Sequence, residues 1–144
     1  SKSFKILEKN SVVGNEELEK DSLNWLNKNL EPKGLSADNL DESLKNGLLL
    51  IQALEVTFFS FTFLFNFHNN FFLQNASGES LGKHHQKATL PVHCIDNQNV
   101  ILKFLSGHGV STGGVTAEDL HSSVKKKVLI LFSAILAKYP LPPS

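Results

Sequence analysis

The chain has 144 residues, the length of one domain, and its fourteen lysines balance fourteen acidic residues to a net charge of zero, with no arginine. Zero net charge argues against a nucleic-acid module, which carries a basic excess, and the missing arginines remove the bidentate fork that reads phosphate and guanine. One cysteine, Cys94, leaves no internal disulfide to form and fits a reducing, cytoplasmic compartment. The chain starts at Ser1, has no methionine and shows no basic-then-apolar leader, so it reads as an excised fragment of a larger protein. With 41% apolar and 19% charged residues it is expected to fold.

Residues 1–15 carry no strong period and read as an N-terminal extension, with Ser11 to Asn15 as a loop. From Glu16 to Leu30 the spacing predicts a helix, with Leu23, Leu26 and Leu30 at i, i+3, i+7 and Trp25 as a core anchor. Pro32 and Gly34 stop it. A second helix is expected over Asp38–Glu55, N-capped by Asp41, with Leu44, Leu48 and Ile51 on one stripe. Gly47 falls inside it, where glycine costs about 0.5–1 kcal/mol relative to alanine, which points to close packing of a neighbour. Pro91 opens a third helix over Val92–Ser106 with Val92, Ile95, Leu102 and Leu105 apolar, ended by Gly107 and Gly109. Val110–Thr116 reads as a glycine-rich turn and Ala117–His121 as one helical turn. The last helix has Val124, Val128, Leu131, Phe132, Ile135 and Tyr139 in register and further apolar residues on its other faces, so it is expected to be central. Pro140, Pro142 and Pro143 end it as a linker stub. No strand–helix alternation or internal repeat is visible, and the fold class is all-α.

One stretch departs from this pattern. Val56 to Gly78 is free of charge, and eight of the eleven phenylalanines fall between Phe58 and Phe72. Its apolar part, about ten residues, is too short to span a bilayer, and no basic flank supports membrane insertion. The alternation Phe61-Thr62-Phe63 resembles a strand, an aggregation hazard if unpaired. Phenylalanine and leucine codons are rich in T, so Val56–Gln74 also reads as a translated, pyrimidine-rich intron. Val56 fits a donor-site start and Phe72-Leu73-Gln74 an acceptor-site end.

Other chemistry is weakly marked. His84–His85 and His93–Cys94 lack the short repeated spacings of zinc sites, so no metal or cofactor is expected. Cys94 has no recognisable base beside it, and Gly107, Gly109, Gly113 and Gly114 follow no strand, which excludes a phosphate cradle. No catalytic constellation is visible, and the chain does not read as an enzyme.

Three segments together resemble a calponin-homology domain, with the first such domains of α-actinin, spectrin and filamin actin-binding regions as the best likeness. These are Asp21-Ser-Leu-Asn-Trp25-Leu-Asn-Lys-Asn-Leu30; Leu44-Lys-Asn-Gly47-Leu-Leu-Leu-Ile-Gln-Ala-Leu54-Glu55; and Asn99-Val-Ile-Leu-Lys-Phe-Leu105 through Gly109-Val110 and Ala117-Glu-Asp-Leu120 to Tyr139. The resemblance covers residues 16–139 and implies about four main helices plus short connecting ones, interrupted by an atypical insertion at 56–74. Without those residues Glu55 joins Asn75-Ala-Ser-Gly-Glu-Ser-Leu81 at about the family's spacing. Two departures stand out: His121-Ser-Ser-Val-Lys125 replaces the family's Asp-Gly-Asn-x-Lys, and the last helix lacks the family's tryptophan.

The resemblance implies actin filaments as partner, a second calponin-homology domain in the same parent chain, and an actin-cytoskeleton location. It places the contacts at Lys20, Asn24 and Lys28 on the first helix, at Lys103, and at Lys125, Lys126 and Lys127. These three lysines sit where positive charge opposes the helix dipole, by about 0.3–1 kcal/mol each when exposed, so helix stability does not explain them. Two alternatives stay open: an adaptor of the same fold that binds other proteins, and a peripheral lipid-binding module using the phenylalanines. For the stretch itself, the intron reading predicts a spliced transcript in which Glu55 precedes Asn75, and transcript sequencing that finds the phenylalanine codons retained after splicing overturns it.

Overall fold

The computed structural model describes residues 13–69, 81 and 83–141, with the backbone alone described at 13–15 and 61–69. Its helices are α1 (Val13–Leu30), α2 (Leu40–Lys45), α3 (Leu48–Asn69), α4 (Pro91–Gly107), α5 (Ala117–His121) and α6 (Lys125–Lys138), with a 3-10 turn at Glu31–Lys33 after α1. Among the described residues there is no strand, and α1, α3, α4 and α6 are the long elements. The all-α expectation of four main helices with short connectors holds.

α1 begins at Val13, inside the segment expected to be a loop. Glu16 in its first turn complements the positive end of the helix dipole and supports the earlier start. It ends as expected: Pro32 lies in the 3-10 turn, and Gly34, at φ 69°, donates its N–H to Glu31 O.

The helix expected over 38–55 is two helices. Asn39, not Asp41, caps α2: its side chain accepts the Glu42 N–H at 2.8 Å, and Glu42 Oε2 accepts the Asp38 N–H at 3.0 Å. Asn46 and Gly47 break the chain, with Gly47 at φ 78°. A Cβ there would lie 3.0 Å from Asn97 Cβ. The glycine thus serves close packing, but at a helix junction. Two polar side chains of α4 stitch this junction. Asn97 Nδ2 donates to Asn46 O (2.9 Å) and His85 O (3.0 Å), and its Oδ1 accepts the His85 N–H (2.7 Å). Gln98 Nε2 donates to Leu44 O.

α3 continues through Glu55 to Asn69, so the alternating phenylalanines are helical and not a strand. Thr57 is buried, and Phe58 sets its ring edge-on to Phe104 (5.3 Å) and His108 (4.8 Å) on α4. The remainder of the expected insertion, 70–74, lies outside the described residues.

On α4 the buried positions are Cys94, Asn97, Gln98, Ile101, Phe104 and Leu105. Val92, expected on the apolar face, is 56% exposed: it lies in the first turn, off that stripe. Val124, also expected on an apolar stripe, is the N-cap of α6 and is exposed. The rest of α6 is central, with Val128, Leu129, Leu131, Phe132 and Ile135 buried. Trp25 of α1 is fully buried with its ring edge-on to Phe132 at 6.4 Å, and its Nε1 donates to Tyr139 O at 2.8 Å. Burial raises the Tyr139 phenol above its ordinary pKa.

Trp25→Ala is therefore expected to cost about 3–5 kcal/mol by cavity formation. Trp25→Phe is expected to cost about 1–3 kcal/mol, chiefly for the lost hydrogen bond from the indole N–H to Tyr139 O. Urea unfolding midpoints of the two variants check both figures.

Candidate functional site

α1 carries Lys20, Asn24 and Lys28 on one exposed line, one turn apart. This is the polar face expected from the sequence, opposite Ser22, Trp25 and Leu26, which are buried. Its lysines have acidic company: Glu16, Glu17, Glu19 and Asp21 share the N-terminal half of the helix with Lys20.

Lys125, Lys126 and Lys127 form the first turn of α6. Lys125 and Lys126 are exposed and Lys127 is half-buried. The connection that aims this turn is short. α5 opens with a capping box: Thr116 Oγ1 accepts the Asp119 N–H (3.1 Å) and Asp119 Oδ2 accepts the Thr116 N–H (3.0 Å). The Thr116 N–H holds the Asp119 carboxyl below its ordinary pKa, with a smaller attraction from Lys127. α5 closes in a Schellman motif, Val124 N–H to Asp119 O (3.0 Å) and Ser123 N–H to Leu120 O (3.1 Å). Ser123 takes the left-handed conformation at φ 55° that this motif requires.

α6 then starts on Val124, whose side chain supplies no cap. The positive end of the helix dipole and three ammonium groups coincide there. Glu19 Oε2 of α1 lies 3.0 Å from Lys125 Nζ. Both partners are substantially exposed, so the pair contributes little stability, but it sets the lysine end of α6 beside the N-terminal half of α1. Sequence reading missed Glu19, because nothing local links it to a residue 106 positions away. The cleft beside the pair, lined by Glu19, Leu40, Asp41, Lys125, Val128 and Leu129, holds about 50 Å³. That is far below the ~300 Å³ from which small-molecule sites start.

The structure thus brings Lys125–Lys127 and the Lys20 end of α1 together. Lys103 is exposed on α4, a different element that packs chiefly against α5. Gly113, in the turn before α5, sits so close to α6 that a Cβ would lie 2.9 Å from Ile130 Cγ2.

The histidines behave differently from their sequence spacing. His85 and His93 stack at 4.3 Å, and His85 Nε2 lies 3.0 Å from Asp96 Oδ2. Among the described residues no group of three or more His, Cys, Asp or Glu side chains is arranged to hold a metal ion, and no helix is long and apolar enough to cross a membrane.

The family model described as calponin homology (CH) domain matches residues 16–141. Among curated proteins, alpha-actinin of Dermatophagoides farinae is 29% identical over 117 residues, covering 81% of this chain and 11% of that protein. Alpha-actinin-4 of Gallus gallus and of Homo sapiens are each 27% identical with the same coverage. The chain therefore spans about a tenth of the length of these relatives.

The Schellman turn that aims the lysines is carried by serine, and Ser123→Asn is expected to raise stability by about 0.5–1 kcal/mol, because asparagine adopts the left-handed conformation more readily. Thermal unfolding of the variant against the parent chain measures it, and a lowered midpoint contradicts the expectation.

Proposed function

The chain belongs to the calponin homology family, and from that footing we propose that it is an actin-filament-binding module of a larger cross-linking or cytoskeletal linker protein. It acts by contact, with no chemistry of its own. The observation that carries the reading is the lysine turn at the start of α6, which has no side-chain cap, exposes Lys125 and Lys126, and lies beside α1 where Lys125 meets Glu19. Three ammonium groups at the positive end of a helix dipole form the sort of cationic patch that an acidic filament surface attracts. The exposed line Lys20, Asn24 and Lys28 continues this surface along α1, and Lys103 on α4 provides a second contact. The acidic residues around Lys20 place most of the electrostatic weight on Lys125–Lys127.

The same acidic residues favour a second reading, an adaptor of this fold that docks on a protein partner such as a second calponin-homology domain. Glu16, Glu17, Glu19 and Asp21 would repel an acidic filament but suit a mixed-charge protein surface.

Co-sedimentation with actin filaments across a salt series separates the two. The filament reading predicts pelleting that declines as salt screens the lysines. The double reversal Lys126→Glu and Lys127→Glu, which leaves the Glu19–Lys125 pair intact, is expected to weaken binding about tenfold or more, equivalent to ~1.4 kcal/mol, with helicity unchanged. Absence of pelleting at low salt, with a folded chain, moves the assignment to the adaptor.

A further inference from the structure

The lysine turn of α6 faces carboxylates of its own chain. Lys125 Nζ lies 3.0 Å from Glu19 Oε2, and both side chains are open to solvent, 68% exposed for the lysine and 39% for the glutamate. Asp41 of α2 lines the same small cleft, so acidic residues of two helices border the Lys125 side of the turn. Lys127 is half-buried and attracts the Asp119 carboxyl of α5, which accepts the Thr116 N–H in the capping box. Lys126 lies between them in the turn and is exposed.

An ammonium with a carboxylate 3.0 Å away acts at longer range as a dipole and not as a full charge, because the attraction of one and the repulsion of the other nearly cancel. An incoming acidic group therefore meets Lys125 and Glu19 together. It either displaces Glu19 from the ammonium or binds against its repulsion. The pair is open to solvent, so the exchange needs no rearrangement of the core. We infer that Glu19 is a specificity-determining residue of the lysine turn, an internal competitor for Lys125 that holds the affinity for acidic partners below what the three lysines alone would give.

The inference rests on reading this turn as the surface that meets an acidic filament. It assigns the acids of α1 unequal roles. Glu17 is exposed and stands two positions from Glu19, about 200° round the helix axis, so it adds to the net charge without sharing the side that meets Lys125. Removing the charge of Glu19 frees an ammonium; removing that of Glu17 changes only the distant field, which salt screens. The opposite role for Glu19, a strut that positions the turn, predicts the opposite sign: binding weakens when the carboxylate is lost.

The test compares the complete chain with Glu19→Gln and Glu17→Gln, which change the net charge equally, in co-sedimentation with actin filaments across a salt series. Glu19→Gln is expected to bind about two- to fivefold tighter than the parent at low salt, the size of effect an exposed ion pair can have, with the gap closing as salt rises. Glu17→Gln is expected to stay near the parent, and circular dichroism to show the same helix content in all three. Equal affinity in Glu19→Gln and the parent overturns the inference, as does weaker binding, which would make Glu19 a positioning residue, or an equal gain in Glu17→Gln, which would make the effect one of net charge. A second arm measures the same three chains against a fluorescein-labelled polyglutamate peptide by anisotropy at low salt. If none of them pellets with filaments, the filament reading fails by itself and this arm decides: tighter peptide binding by Glu19→Gln alone sustains the competitor role. Equal binding by the three chains, or no binding by any, overturns it.

Discussion

The bond from Trp25 Nε1 to Tyr139 O joins residues 114 positions apart and closes the domain. Trp25 is fully buried, and its donor must find a partner or carry the cost of an unmet buried polar group. The carbonyl at the end of α6 meets that need, and the edge-on contact with Phe132 fixes the ring about two helical turns further in. α6 can therefore lie on α1 in few ways. That arrangement brings the first turn of α6 to Glu19, and with it the three lysines to the N-terminal half of α1. The placement of the lysine turn follows from a buried tryptophan that touches none of it.

A second set of constraints works through polar groups in the interior. Asn97 and Gln98 lie fully buried in the middle of α4 and satisfy backbone carbonyls at the end of α2, at the Asn46–Gly47 break and in the segment around His85. An apolar side chain at 97 would leave the Asn46 and His85 carbonyls and the His85 N–H to find other partners. The break between α2 and α3 is thereby a specified junction, and the positive φ of Gly47 and its approach to Asn97 Cβ belong to one device.

This explains what was legible beforehand. The long helices stood out where apolar residues recur at helical spacing, as in α1 and α6, and Pro32, Gly34, Pro91 and Gly109 marked turns that the structure retains. The split of α2 from α3 was hidden because Leu44, Leu48 and Ile51 keep a helical period across the break; only Gly47 signalled it. The inner stripe of α4 was hidden for the opposite reason, since two of its central positions are polar and Val92 offered a false apolar start. The lysine turn was visible as a charge run, but its pairing with Glu19 depends on tertiary packing, as does the stacking of His85 on His93.

The phenylalanine stretch tests local against global preference. Read as isolated residues it alternates like a strand, yet it forms helix because α3 enters it already in register. Leu50, Ile51 and Leu54 are buried, and Thr57 and Phe58 fall on the continuation of that stripe, where Phe58 meets the last turn of α4. Once a helix is nucleated, each further residue adds one hydrogen bond for one pair of fixed dihedrals, so propagation through phenylalanines of modest helix propensity is easier than restarting as a strand without a partner. The first residues after Glu55 thus extend a stripe that the domain already buries.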